Sequence, residues 1–247
     1  MSDLSEYNVV GGLLGLGHNI LLEIMSEMTL PQDVQQFVIV CRKINQLLQH
    51  PRYPNIIQSI IQITPAFIIK EAWQGRSNGN KFIHSDEYGQ CVIAIDPIIK
   101  EGIVRIEIVF ENNGVWRSMG IAEASCSFAA GEWPQYGGNK EKTVRYWDNG
   151  DLYHRTNGAI RNQFYSEGQR ISAVVDMTTN PRKVVFYVND IEQPNFVIEI
   201  PSEIRFWASN RYESSSFTVT KFERLNQFTS QGVIGSKALE WGKVWKK

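Results

Sequence analysis

The chain has 247 residues, of which 43% are hydrophobic and 21% charged, and a formal net charge of −1 from 25 basic and 26 acidic side chains. That is the composition of a globular protein with enough chain for one large β domain, or for a medium domain with a small one beside it. A charge so near zero sets up no basic field, which weighs against nucleic acid and anionic membranes as partners.

Residues 1–15 read as a flexible lead-in. Asp3 and Glu6 stand there without a basic cluster, unlike a signal or transit peptide. The apolar run 9–16 is too short to span a bilayer. Its glycines, Gly11, Gly12, Gly15 and Gly17, match neither nucleotide-loop spacing and follow no buried strand.

Residues 16–63 read as helical. Ile20, Leu21, Ile24, Met25 and Met28 recur at spacings of three and four, with Asn19 placed to cap the stripe and Pro31 to end it. A second stripe, Val34, Phe37, Val38, Cys41, Ile44, Leu47 and Leu48, has Asp33 at its start and Pro51 at its close. Pro54 then stands where a first helical turn begins, ahead of Ile56, Ile57, Ile60 and Ile61. Helices this short need each other, or a neighbour, to bury their apolar faces.

From residue 66 the period changes to two. Val104, Ile106, Ile108 and Phe110 alternate with Arg105, Glu107, Val109 and Glu111; Ile171, Ala173 and Val175 repeat the pattern, as do Val184, Phe186 and Val188, then Phe217 and Val219. Turn residues punctuate these runs at 111–114 and 179–181. Many short alternating strands and no strand–helix–strand repeat predict a mainly β fold: an antiparallel β-sandwich over 66–226, preceded by the small α-helical segment. The tail 227–247 carries Trp241 and Trp245, expensive to leave in water, so it is expected to pack back on the sandwich or the helices.

Particular segments then carry a resemblance. They are 102–108 (GIVRIEI), 116–122 (WRSMGIA), 146–154 (YWDNGDLYH), and 168–177 (GQRISAVVDM) with 184–189 (VVFYVN), closed by Ile200-Pro201 and the strand of Phe217 and Val219. In order and spacing this set, over roughly residues 68–226, resembles the SPRY domain family. Gln169 departs from the family's acidic residue and Asp190 from its turn glycine, although Asn189-Asp190 can still adopt positive φ. The helical part resembles an F-box, in 16–24 (LGHNILLEI) and 40–48 (VCRKINQLL), with Gly17 where that motif has proline and Ile44 where it often has an aromatic. A structural helical cap on the sandwich remains the other reading of these helices.

The SPRY resemblance implies a non-enzymatic recognition module that grips a protein or peptide through loops at one end of the sandwich. By position those loops are 111–115, 130–142 and 209–215, with Asn113, Val115, Trp133, Tyr136, Arg211, Tyr212 and Glu213 as candidate partner-binding residues. An aromatic in a polar loop, such as Trp133, is a good anchor unless it folds down over the sandwich edge. The F-box resemblance implies that Leu16, Ile20, Leu21, Ile24, Val40 and Ile44 are divided between the helices' own core and a Skp-family linker protein. The chain would then recruit a target to a cullin-type ubiquitin ligase.

Catalytic signals are weak beside this. His18, His50, His84 and His154 form no metal-ligand spacing with each other, with Cys41, Cys91 and Cys126, or with carboxylates. No GxSxG elbow occurs, and nothing places Glu107, Asp148, Asp151 or Asp176 in pairs around one cleft. No enzyme activity, cofactor or metal is expected. The three scattered cysteines read as small buried hydrophobes, which suggests a reducing compartment, cytoplasm or nucleus.

Overall fold

The computed structural model of the chain describes residues 12–112, 114–155, 159–230 and 232–245. They divide into two compact units: one running to Ile63 and including Arg224–Asn226, the other Thr64–Glu223 with the chain from Gln227.

The helical unit contains α1 (His18–Ser26), α2 (Pro31–Ile39), α3 (Arg42–Asn45) and α4 (Tyr53–Ile61). Side chains three and four apart share a helix face. Leu21, Leu22 and Met25 of α1 therefore meet Val34 and Val38 of α2, Ile44 of α3, Leu47, and Ile56 and Ile60 of α4 in one buried core. The caps expected from the sequence are corrected. Gly17 and Leu30 hold the N-cap positions of α1 and α2, and neither caps with a side chain. Pro31 opens α2, where its missing N–H costs nothing, and Asp33 sits in that first turn, where the helix dipole favours a carboxylate. The second apolar stripe is not one helix: Cys41 is fully extended (φ −158°, ψ 164°) and divides α2 from α3. Pro54 does stand in the first turn of α4.

The second unit is two stacked sheets. Across the width of one run β1 (Ala66–Ile68), β4 (Cys91–Ile99), β14 (Ile204–Asn210), β6 (Ser118–Glu123), β7 (Thr143–Trp147), β8 (Asp151–Tyr153) and β9 (Ile160–Arg161). Across the other run β16 (Lys237–Glu240), β13 (Asn195–Ile198), β11 (Lys183–Val188), β10 (Arg170–Asp176), β5 (Ile103–Glu111), β15 (Ser216–Leu225), β3 (Lys81–His84) and β2 (Gly75–Asn78), with β12 (Ile191–Glu192) as a hairpin partner of β11. Period-two alternation turns aromatic residues of both sheets into the gap between them. Phe67 meets Phe217 at 5.6 Å between ring centres, Tyr146 meets Phe186 at 5.4 Å, and Phe206 meets Phe222 at 5.8 Å.

The expected antiparallel sandwich is formed, with one departure: β13 and β16 run parallel. Through β16 the tail packs on the sandwich as an edge strand. Trp241 and Trp245 do not stack at helical spacing; their rings lie 4.6 and 5.3 Å from that of His154, which follows β8 in the other sheet.

Candidate binding site

Tyr146 faces the inter-sheet core, so its neighbours Thr143, Arg145 and Trp147 face outward on β7. Tyr153 lies opposite Arg145 on β8, and Gly120 lies opposite it on β6. The long connection from β6 to β7, residues 124–142, folds back over this outer face. Its first part brings Cys126 and Phe128 onto Trp207, Val92, Ala94 and Ala122, a small second core. Its second part, from Trp133 to Lys140, walls in Arg145 and Trp147. The result is a concavity of about 340 Å³ lined chiefly by Trp116, Trp133, Tyr136, Arg145, Trp147 and Tyr153, with Gln135, Lys140 and Asp148 also at its surface. Its size falls within the range of small-ligand pockets.

Ring contacts join the loops of this end. Trp133 lies 5.9 Å from Trp116 and 5.7 Å from Trp147. The Arg211 guanidinium stands 5.3 Å from the Trp133 ring and 4.8 Å from that of Tyr88. Tyr88 meets Tyr212 at 5.8 Å, and Tyr212 packs so closely on Gly114 that a Cβ there would lie 3.2 Å from its ring. The loop segments proposed from sequence thus converge.

Of the individual candidates, Trp133 and Tyr136 line the pocket; Tyr136 is half exposed, while Trp133 is packed among its neighbours. Arg211 and Tyr212 form the adjoining rim. Val115 is exposed beside Trp116, Glu213 is exposed, and Asn113 lies outside the described residues. Sequence reasoning missed Trp116, Arg145, Trp147, Tyr153 and Tyr88. Trp116 stands before β6, which starts at Ser118, and has φ 72°. For Trp147 a signal existed: inward Val144 and Tyr146 force the tryptophan between turn and strand to the outside.

Arg145 is only 3% exposed. Burial lowers its pKa to about 10, so it remains a cation at neutral pH. Its Nη1 donates to the Thr143 hydroxyl at 2.7 Å and the Lys140 carbonyl at 3.2 Å. Among the described residues no carboxylate lies within ion-pair distance of it. Burial raises the pKa of Asp148, opposed by the Arg117 guanidinium 3.9 Å away. Arg117 also donates to the carbonyls of Gly114 and Tyr165, which ties the loop before β6 to the framework. Gln135 Oε1, buried at the pocket, meets no donor among the described residues.

The other carboxylates that sequence reasoning considered have local partners. Glu107 is buried and accepts from Arg105 at 2.7 Å and Thr220 at 2.9 Å. Asp151 accepts from Tyr153 at 3.0 Å and Arg161 at 3.2 Å, and Asp176 from the Thr178 hydroxyl at 2.6 Å. Cys91 and Cys126 are buried, which pushes their thiols up to about 12 and 11; Cys41 is partly exposed. Among the described residues no group of three or more His, Cys, Asp or Glu is placed to hold a metal ion. Nor is any helix among them long and apolar enough to cross a membrane.

On the helical unit, two candidate linker-binding residues are corrected: Leu21 and Ile44 are completely buried in its core and present no surface to a partner. Leu16 and Ile24 pack partly against that core. Ile20 and Val40 are exposed, at 52% and 64%, and are joined by Ile39 at 74%, which the sequence reading did not single out.

No family model matches the chain, and no curated protein does. Among solved structures it is similar to the SPRY domain of human HERC1, at 14% identity over 62% of this chain and 92% of that one, with a TM-score of 0.46. It is also similar to the PSpry domain of TRIM65, at 10% identity over 73% of this chain and 95% of that one, with a TM-score of 0.48.

Proposed function

We propose that the chain is a SPRY-type recognition module that binds a protein or peptide in the aromatic pocket over β6–β8 and performs no covalent chemistry. The observation that supports this most is the convergence of loops on one concavity with partly exposed aromatics at its mouth. Such side chains offer large apolar area at low entropic cost. The framework beneath them is rigid sheet, which keeps the pocket preformed. A pull-down with the wild type beside the Trp133→Ala, Tyr136→Ala double variant tests it. A partner held by the wild type should be lost from the variant, and a variant that retains every partner would refute the site.

The helical unit is read as F-box-like, docking on a Skp-family linker so that a bound target reaches a cullin-type ubiquitin ligase. The rate gain would come from effective concentration alone. The exposed Ile20, Ile39 and Val40 support this reading as apolar side chains that a linker protein would bury. Co-purification with a Skp-family protein, lost on Ile39→Asp, tests it. The second reading, a stand-alone interaction protein whose helices are structural, is favoured by the core those helices form among themselves. Both readings place the chain in a reducing compartment, cytoplasm or nucleus, and without a cofactor.

A further inference from the structure

Arg145 is held in an unusual way for a buried guanidinium. Its two hydrogen bonds both leave from Nη1, toward the Thr143 hydroxyl and the Lys140 carbonyl. Its Nε and Nη2 find no acceptor among the described residues. Those two donors form one straight edge of the guanidinium fork, the edge that matches the two oxygens of a carboxylate. The side chain is on a strand, lines the concavity, and is already withdrawn from bulk water.

We infer that the pocket takes a carboxylate carried by a peptide, with the open edge of Arg145 as its bidentate partner. This rests on the loop-binding reading above and names the ligand chemistry for that site. The surroundings agree. Lys140 adds a second cation at the wall, and Asp148, the one acidic residue of the lining, lies beside Arg117. Trp116, Trp133 and Trp147 provide apolar walls for the residues beside the acid, and by excluding water they limit screening of the ion pair.

An aromatic cage for a methylated lysine is the competing use of three tryptophans. It is disfavoured on two counts. The rings touch one another, with centres 5.7 to 6.4 Å apart, which leaves no room for a cation between them. The cations Arg145 and Lys140 would repel such a ligand.

The test is an array of C-terminally amidated nonapeptides with randomised flanks and Asp, Glu, Gln, Lys or trimethyl-lysine at the centre. A second set carries a free C-terminal carboxylate. Both are probed with the full-length chain as wild type, Arg145→Gln, Lys140→Glu and the Trp133→Ala, Tyr136→Ala variant, each checked for folding by circular dichroism. Wild type should bind Asp or Glu peptides, or those ending in a free carboxylate, about tenfold or more tighter than their neutral counterparts, equivalent to one good charge-assisted pair. The two sets distinguish a side-chain acid from a chain terminus. Arg145→Gln should abolish the preference. Lys140→Glu, which places a competing carboxylate at the wall, should do the same, and it decides the matter if Arg145→Gln does not fold. Peptides whose binding requires Trp133 and Tyr136 but ignores the acid would overturn the inference and leave the binding site standing. So would an acid preference that survives both charge variants, or a preference for trimethyl-lysine. If no peptide depends on Trp133 and Tyr136, both the inference and the site fail.

Discussion

His154 shows how much one side chain can depend on the fold around it. It is completely buried, its Nδ1 bonds the Thr143 carbonyl at 2.9 Å, and its Nε2 accepts from the Gly242 N–H at 2.8 Å. An imidazole that donates from one nitrogen and accepts at the other is neutral, which fits a pKa lowered by burial to about 4 from 6.5. The unfolded chain therefore binds a proton that the folded chain refuses between those values. Stability from this group is complete above about pH 6.5 and is lost as the pH falls toward 4. Urea unfolding followed from pH 7.5 to 4.5 should show that decline, and His154→Phe should flatten the slope between pH 6.5 and 5. Because the histidine lies against Trp241 and Trp245, tryptophan fluorescence should report the loss of the tail's packing. From the sequence, its place after Tyr153 on a β segment suits a structural or a solvent-facing histidine equally, and the structure buries it completely. Nothing local could show that a segment nearly ninety residues later supplies its acceptor-side partner.

At the scale of elements, period-two alternation specified most of the sandwich in advance. The two-residue connection of β11 and β12 is one case: Asn189 and Asp190 both take positive φ, 49° and 65°, as the backbone twist of a tight hairpin demands. Gly120 lies on β6. Its role is close approach rather than a turn, since a Cβ there would overlap the Val144 carbonyl oxygen on β7 and crowd Trp207. Gly120→Ala should cost upwards of about 2 kcal/mol, as overpacking in a tight core does, or prevent folding. Urea titration of the variant measures this, and a change within error would mean that β6 and β7 can spread. What alternation could not convey is the path of residues 124–142. That segment has no periodicity of its own, and its course over the outer face is decided by where Phe128 and Trp133 find apolar partners on distant strands. The split of the second helical stripe at Cys41 was equally hidden, because the apolar spacing continues through the break.

At the scale of the whole molecule, two units each have a buried core made from their own residues. A chain beginning at residue 64 should therefore keep the circular dichroism of a β protein and melt cooperatively. If it does not, the helices are a structural cap and the adaptor reading loses its main attraction. Conversely, Ile39→Asp and Val40→Asp alter exposed positions at the C-terminus of α2, where a carboxylate opposes the helix dipole, so each should cost no more than about 1 kcal/mol while removing any apolar docking of the helical unit. Calorimetry separates the two effects from a pull-down.

By itself the sequence determined the kind of structure: a helical start, a change of period near residue 66, and an antiparallel sandwich. These follow from spacing, turn chemistry and side-chain size, all of which act between near neighbours. The pocket was decided only in three dimensions. It needs Trp116 from one loop, Trp133 and Tyr136 from another, and Arg145 and Trp147 from the outer face of β7. A side chain's solvent exposure, and whether a buried charge finds an opposite one, depend on which distant segments fold over it, and no local pattern encodes that.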